Sequence, residues 1–170
     1  MNRRYSAAEY AEKCELIRKF YPSPALTTDV IVGFPVETEE DFEESYEFVK
    51  NIHFYETHIF KYSRRQGTKA AVMEGQLTEA VKSIRSEKMI ALHEIRAKEY
   101  ETSMIGKTLE LLLEEEVEIN GKTYFMAHSK EYVRAVIEKT KDHKVNDLVR
   151  AKAVDFADEH VLLAICEELY

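Results

Sequence analysis

The chain has 170 residues, room for one domain of ordinary size or one domain plus a small module. Hydrophobic residues make up 45% and charged residues 33%, which excludes a disordered chain, while 5 Gly and 3 Pro exclude collagen-like and linker-like readings. The net charge of −8 argues against a bulk electrostatic grip on nucleic acid but leaves room for a local basic patch. No run approaches the roughly 18 apolar residues of a membrane span. The first residues lead into a polar helical pattern instead of a secretory h-region, so a cytoplasmic location is expected.

Ser6 and Glu9 form a capping box ahead of a first helix. Tyr10, Cys14, Ile17 and Tyr21 recur on one face of it, and Pro22 and Pro24 stop it. The β-branched run Val30-Ile31-Val32 predicts a strand buried on both faces. Thr38 caps a second helix with Asp41 at the reciprocal position, and Phe42, Tyr46 and Val49 line its apolar face. Tyr55 to Tyr62 predicts a second strand. This helix–strand–helix–strand order favours parallel strands joined by a right-handed crossover. Turn chemistry fills residues 63–76, including Gly67 and Gly75. Thr78 opens a long helix to about Ser103, with Val81, Ile84, Met89, Leu92 and Ile95 as its apolar stripe.

Beyond Gly106 the pattern turns all-β. Leu109, Leu111 and Leu113 alternate, and Asn120-Gly121 is a strong hairpin signal because both residues accept positive φ. Further strands are expected at 122–128, 132–138, 148–155 and 160–166. Five short strands with short turns indicate a small OB-like barrel. In the strand at 132–138, alternation points Val133, Ala135 and Ile137 inward and Tyr132, Arg134 and Val136 outward. The fold class is therefore α/β followed by all-β. The β part is acidic, with 9 basic against 14 acidic residues over 103–170. Its one basic cluster is the loop Lys139, Lys141, His143 and Lys144. Cys14 and Cys166 stand far apart and belong to no CxxC or Cys/His cluster, so no metal or iron–sulfur framework is expected within this chain.

Parallel βα units place ligands at the C-terminal ends of their strands. Two such ends exist here, at Gly33-Phe34-Pro35 and at Phe60-Lys61-Tyr62 running into Arg64-Arg65-Gln66-Gly67-Thr68. Gly33 removes a side chain where a flat ligand could lie against the backbone. The loop's aromatics and guanidiniums suit a nucleotide-like or phosphate-bearing group.

The string Thr27-Thr28-Asp29-Val30-Ile31-Val32-Gly33-Phe34-Pro35-Val36-Glu37-Thr38-Glu39-Glu40-Asp41-Phe42 is more specific. It resembles the G-F-P-G-E-T segment, with its flanks, of radical SAM methylthiotransferases, enzymes that thiomethylate tRNA or ribosomal protein. Met1 to Ser6 is similar to that family's M-x-R-x-Y segment. Tyr62-Ser63-Arg64-Arg65-Gln66-Gly67-Thr68-Lys69-Ala70-Ala71 is similar to its Y-S-x-R-x-G-T-x-A-A. Met73 to Leu77 resembles the segment before its long helix. The β module matches in position and size the TRAM domain, a tRNA-binding barrel, and Ser129 to Arg134 resembles one of its strands. Details lie nearest the subgroup acting on threonylcarbamoyladenosine.

The resemblance implies the last two βα units of a radical SAM partial (β/α) barrel over 1–76, a linking helix over 77–103 and a TRAM-like barrel over 104–170. It implies S-adenosylmethionine and 4Fe-4S clusters as cofactors of the parent enzyme, and tRNA as partner. The family's CxxxCxxC cluster loop is absent from this sequence, so the chain is expected to be an inactive C-terminal part of such an enzyme. A free-standing RNA-binding or accessory protein is the alternative. Arg3, Ile31, Gly33, Phe60 and Tyr62 match positions around S-adenosylmethionine. Tyr132 offers an RNA base a stacking face, and Arg134, Lys139, Lys141 and Lys144 offer phosphate contacts. Two strands alone leave an open sheet edge, so either residues 1–75 are expected to be less stable than 107–168 or the chain is expected to self-associate. Val36 stands where the family has glycine, which implies a strained or different turn, and Asn146 replaces a turn glycine more mildly.

Overall fold

The computed structural model describes residues 4–167. Two compact units divide the chain between Ala97 and Lys98. Unit 1 runs α1 (Ala7–Phe20), β1 (Thr27–Val32), α2 (Glu39–Ile52), β2 (Glu56–Lys61), a short 3-10 turn (Lys69–Val72) and most of α3 (Glu79–Thr102). Both capping boxes form: Ser6 with Glu9, and Thr38 with Asp41. α2 ends at His53 in the left-handed conformation, and Arg18 of α1 donates to the carbonyls of Ile52 and His53 there. A cation thus meets the negative end of the α2 dipole.

β1 and β2 pair in parallel, with Ile31 opposite Phe60 and Asp29 opposite His58. Helices cover one face only. Val32, Phe42, Val49, Phe54, Met89 and Leu92 form the core, with Val30 and Ile59 packed against it. Burial along β1 therefore alternates, and Ile31 is 37% exposed. The expectation of a strand buried on both faces fails because, among the described residues, nothing covers the second face. Each of the two strands keeps one unpaired edge among those residues.

α3 also departs from its expected stripe. Met89 and Leu92 are buried, but Ile84 and Ile95 are exposed, and Lys82 and Arg85 take the buried places. The spacing 82, 85, 89, 92 is itself helical, so the buried stripe runs through two cations.

Unit 2 holds β3 (Thr108–Ile119), β4 (Lys122–Ser129), β5 (Arg134–Glu138), β6 (Leu148–Asp158) and β7 (Val161–Cys166). They close into a barrel in the order β3-β4-β5-β7-β6, with β5 and β7 parallel and the other pairs antiparallel. This is the expected five-stranded architecture. The turn residues Asn120 and Gly121 both take positive φ, 51° and 77°. The interior grades from large to small side chains: Phe125, Ile137, Ala164 and Ala153 are register partners across four strands. That gradation fills a narrow barrel.

Two expectations for β5 are corrected. The strand starts at Arg134, and Tyr132 precedes it in a turn at φ +61°. Val136 is fully buried. Its outward side lies between its register partners Met126 and Leu163, and this apolar row shields it.

Candidate functional site

In unit 1 the uncovered sheet face leads into a cleft of about 600 Å³ lined by Ile31, Phe34, Phe60, Tyr62, Arg65 and Thr68, among others. Ile31 and Phe60 are cross-strand neighbours, so their side chains stand side by side. The Tyr62 amide donates to the Val32 carbonyl at 2.8 Å, which carries the pairing past the end of β2. The Tyr62 ring meets Phe34 edge-on at 5.3 Å, and its hydroxyl is buried without a hydrogen-bond partner. Thr68 accepts from the Ala71 amide and donates to the Arg65 carbonyl, which shapes the loop wall. The result is an aliphatic and aromatic floor bordered by the charged residues Asp29, Lys61 and Arg65.

Ile31, Phe60 and Tyr62 thus share one cleft. Gly33 stands behind it: it is buried at φ +74°, and a Cβ there would meet Lys82 Cγ at 2.4 Å. The space that glycine leaves is filled by the aliphatic stem of Lys82. Arg3 lies outside the described residues.

Behind the cleft sits a buried ion pair, absent from the sequence reading. Arg85 Nη1 bonds Glu37 Oε2, and the same carboxylate accepts from the Gly33 amide at 2.7 Å. Arg85 also reaches the Glu37 carbonyl and Glu39, and it stacks 5.3 Å from the Phe42 ring centroid. The hydrogen bond from Arg85 holds the Glu39 carboxyl below the usual carboxylate range. Glu37 therefore ties the Gly33–Val36 turn to α3. The signal was there in the i, i+3, i+7, i+10 spacing of Lys82, Arg85, Met89 and Leu92, but charged residues on a helix read as solvated.

Val36 occupies the left-handed region at φ +64°. Its amide donates to the Gly75 carbonyl at 2.9 Å, and a Cβ on Gly75 would meet Val36 Cγ1 at 2.7 Å. The strained valine is accommodated by the missing side chain of a distant glycine. Asn146, at φ +72°, makes the milder turn, and its amide bonds the Leu113 carbonyl.

In unit 2 the barrel has a cationic mouth. A cleft of about 910 Å³ there is lined by Lys122, Lys139, Lys141, His143 and Lys144, with the carboxylates Glu116 and Glu138 among them. Lys139 Nζ bonds Glu116 at 2.5 Å. Three of the predicted RNA-contacting lysines thus converge, joined by Lys122, which was not foreseen. Arg134 and Tyr132 are not with them. Arg134 opens β5 and Lys139 follows its end. Five residue steps along extended chain separate them, about 16 Å. Tyr132 is 79% exposed, and its turn is pinned by Ser129, whose carbonyl accepts from the Tyr132 amide and whose hydroxyl accepts from Glu131 and Val133. An aromatic ring held out in a left-handed turn that its neighbours over-determine is a presented group.

Cys14 is buried in unit 1 and Cys166 half-buried in unit 2, and burial pushes both thiols up from their ordinary range. Among the described residues no group of three or more His, Cys, Asp or Glu is placed to hold a metal ion. No described helix is long and apolar enough to cross a membrane.

A parallel βα unit with an aromatic strand-end cleft, followed by a small closed barrel with a basic mouth, defines a two-part α/β and all-β protein. No family model matches the chain. Curated proteins do. It is 40% identical over 153 residues to threonylcarbamoyladenosine tRNA methylthiotransferase MtaB of Bacillus subtilis, covering 89% of this chain and 34% of that protein. It is 38% identical over 167 residues to the tRNA-2-methylthio-N(6)-dimethylallyladenosine synthase of Streptomyces coelicolor, covering 96% of this chain and 33% of that one. The enzyme of the same name from Caldicellulosiruptor saccharolyticus is 41% identical over 114 residues, 67% of this chain and 24% of the enzyme. The chain belongs to the radical SAM methylthiotransferase family. It spans about a quarter to a third of the length of these relatives.

Proposed function

We propose that this chain is the C-terminal part of a tRNA methylthiotransferase, carrying one wall of the S-adenosylmethionine site and the tRNA-binding module. The observation that carries this reading is a match that runs through both units, over 96% of the chain. Within it, unit 1 corresponds to the last βα units of the radical SAM barrel, α3 to the linker and the barrel to a TRAM domain. The substrate is a modified adenosine near the anticodon, threonylcarbamoyladenosine, and the setting is the cytoplasm.

The residues present fit S-adenosylmethionine in part. Ile31 and Phe60 supply apolar area for an adenine, with the ring of Tyr62 beside them. When bound, this cofactor is the family's radical source. What this chain contributes is an apolar wall, with Arg85 and Glu37 fixing the Gly33–Val36 turn behind it. The residues do not fit an iron–sulfur cluster, which takes several thiolates, because the two cysteines are single, raised in pKa and in different units. The chain alone therefore performs no thiomethylation. A second copy pairing along the open edge of β1 or β2 completes the sheet in its place, which analytical ultracentrifugation over a concentration series detects.

The deciding experiment is filter binding of the 170-residue chain to tRNA at several salt concentrations. Binding falls steeply with salt as phosphate contacts release counterions. Tyr132→Ala weakens it by about 1–3 kcal/mol per stacked base with little change in salt slope. Lys141→Ala lowers both affinity and slope. Absence of binding at low salt overturns the reading.

A further inference from the structure

We infer that Glu116 is a built-in competitor for RNA phosphate, occupying Lys139 in the barrel mouth and setting the affinity of that site. This rests on the RNA-binding reading above and names the residue that regulates it.

The placement of Glu116 follows from the backbone. Along β3, Leu109, Leu111 and Leu113 point into the barrel, and strict alternation would bring Glu115, Val117 and Ile119 inward after them. A bulge intervenes. Leu113 pairs with Ala127, but Glu115 pairs with Met126 and Glu116 with Phe125. One extra residue on β3 reverses the alternation. Phe125 is buried in the barrel, so its partner Glu116 shares the inner face, at the open end. Val117 and Ile119 are turned to the other face.

Lys139 reaches the same place from the other side. Ile137 is a register partner of Phe125 and faces inward, and two residues later Lys139 keeps that parity. Its amide donates to the Thr123 carbonyl, which fixes its backbone at the rim. The carboxylate of Glu116 and the ammonium of Lys139 meet at 2.5 Å, with side chains 48% and 40% exposed. A half-exposed pair is weak and exchangeable. Around it stand Lys122, Lys141 and Lys144, so the carboxylate sits where an RNA phosphate would be attracted. Glu116 thus withholds one cation from the ligand at low energetic cost.

The test compares tRNA binding by the full chain as wild type, Glu116→Gln, Glu118→Gln and Glu116→Gln/Lys139→Gln. Glu118 lies two residues along β3 and controls for loss of a nearby negative charge. Freeing Lys139 adds one phosphate contact, so Glu116→Gln steepens the log–log salt slope by about 0.9. Its affinity rises up to about fivefold at low salt, the range of an exposed ion pair. Glu118→Gln gives a smaller gain with no change in slope. In the double variant both the gain and the steeper slope vanish. If the wild type binds and Glu116→Gln matches it, or Glu118→Gln gains as much with the same slope change, the competitor role is refuted while RNA binding stands. If neither wild type nor Glu116→Gln binds at low salt, the RNA-binding reading falls as well.

Discussion

The contact between Val36 and Gly75 makes a quantitative prediction about unit 1. Val36 holds φ +64°, and a Cβ on Gly75, itself at φ +69°, would meet Val36 Cγ1 at 2.7 Å. A left-handed conformation costs a residue with a Cβ about 1–2 kcal/mol. Val36→Gly relieves that strain and adds about 0.5–1 kcal/mol of backbone entropy cost, for a net gain of about 0.5–1 kcal/mol. Gly75→Ala incurs the left-handed cost and the overlap together, about 2–3 kcal/mol. In the Val36→Gly background the overlapping methyl is gone, and Gly75→Ala costs only the backbone part, about 1–2 kcal/mol. The cycle therefore shows a coupling of about 1 kcal/mol. Because two units are present, native-state hydrogen exchange at the amides of Val36 and Tyr62 is the assay, since both bond across the turn region. Equal cost of Gly75→Ala in the two backgrounds, within about 0.5 kcal/mol, would refute the reasoning.

Arg85→Met leaves Glu37 buried without its cation and destabilises unit 1 by about 3–5 kcal/mol, whereas Glu37→Gln/Arg85→Met together cost clearly less; urea unfolding followed by exchange in β1 measures both. Hydrogen bonds from the Thr38 amide and hydroxyl hold the Asp41 carboxyl below its ordinary value of 3.8. The unfolded chain then binds that proton more readily, so the stabilisation is present above that value and is lost as pH falls through the lower folded value. An acid titration of stability in Asp41→Asn is flatter than in wild type over that window. Anaerobic reconstitution with iron and sulfide leaves no stoichiometric cluster on this chain, as iron and labile-sulfide assays report; a stable stoichiometric cluster would overturn the assignment of cluster chemistry to residues outside it.

Local chemistry alone determined much of this protein. The capping residues Ser6, Glu9, Thr38 and Asp41 act within one turn of chain, so they read directly, as does the Asn120-Gly121 hairpin. Alternation in a closed barrel is enforced by a single interior, which made the five strands and the inward Leu109, Leu111 and Leu113 visible in order. Phe60 and Tyr62 read as aromatics at the end of a predicted parallel strand, where ligands are placed. What tertiary structure decided lies where two distant segments share one space. Whether Val30-Ile31-Val32 is covered on one face or two depends on what packs against it, and propensity carries no information on that. Lys82 is buried because Gly33 makes room for its stem, and Val36 is tolerated because Gly75 makes room for its methyl. The bulge that turns Glu116 into the barrel mouth comes from pairing with β4, and strict alternation along β3 would put that carboxylate on the other face.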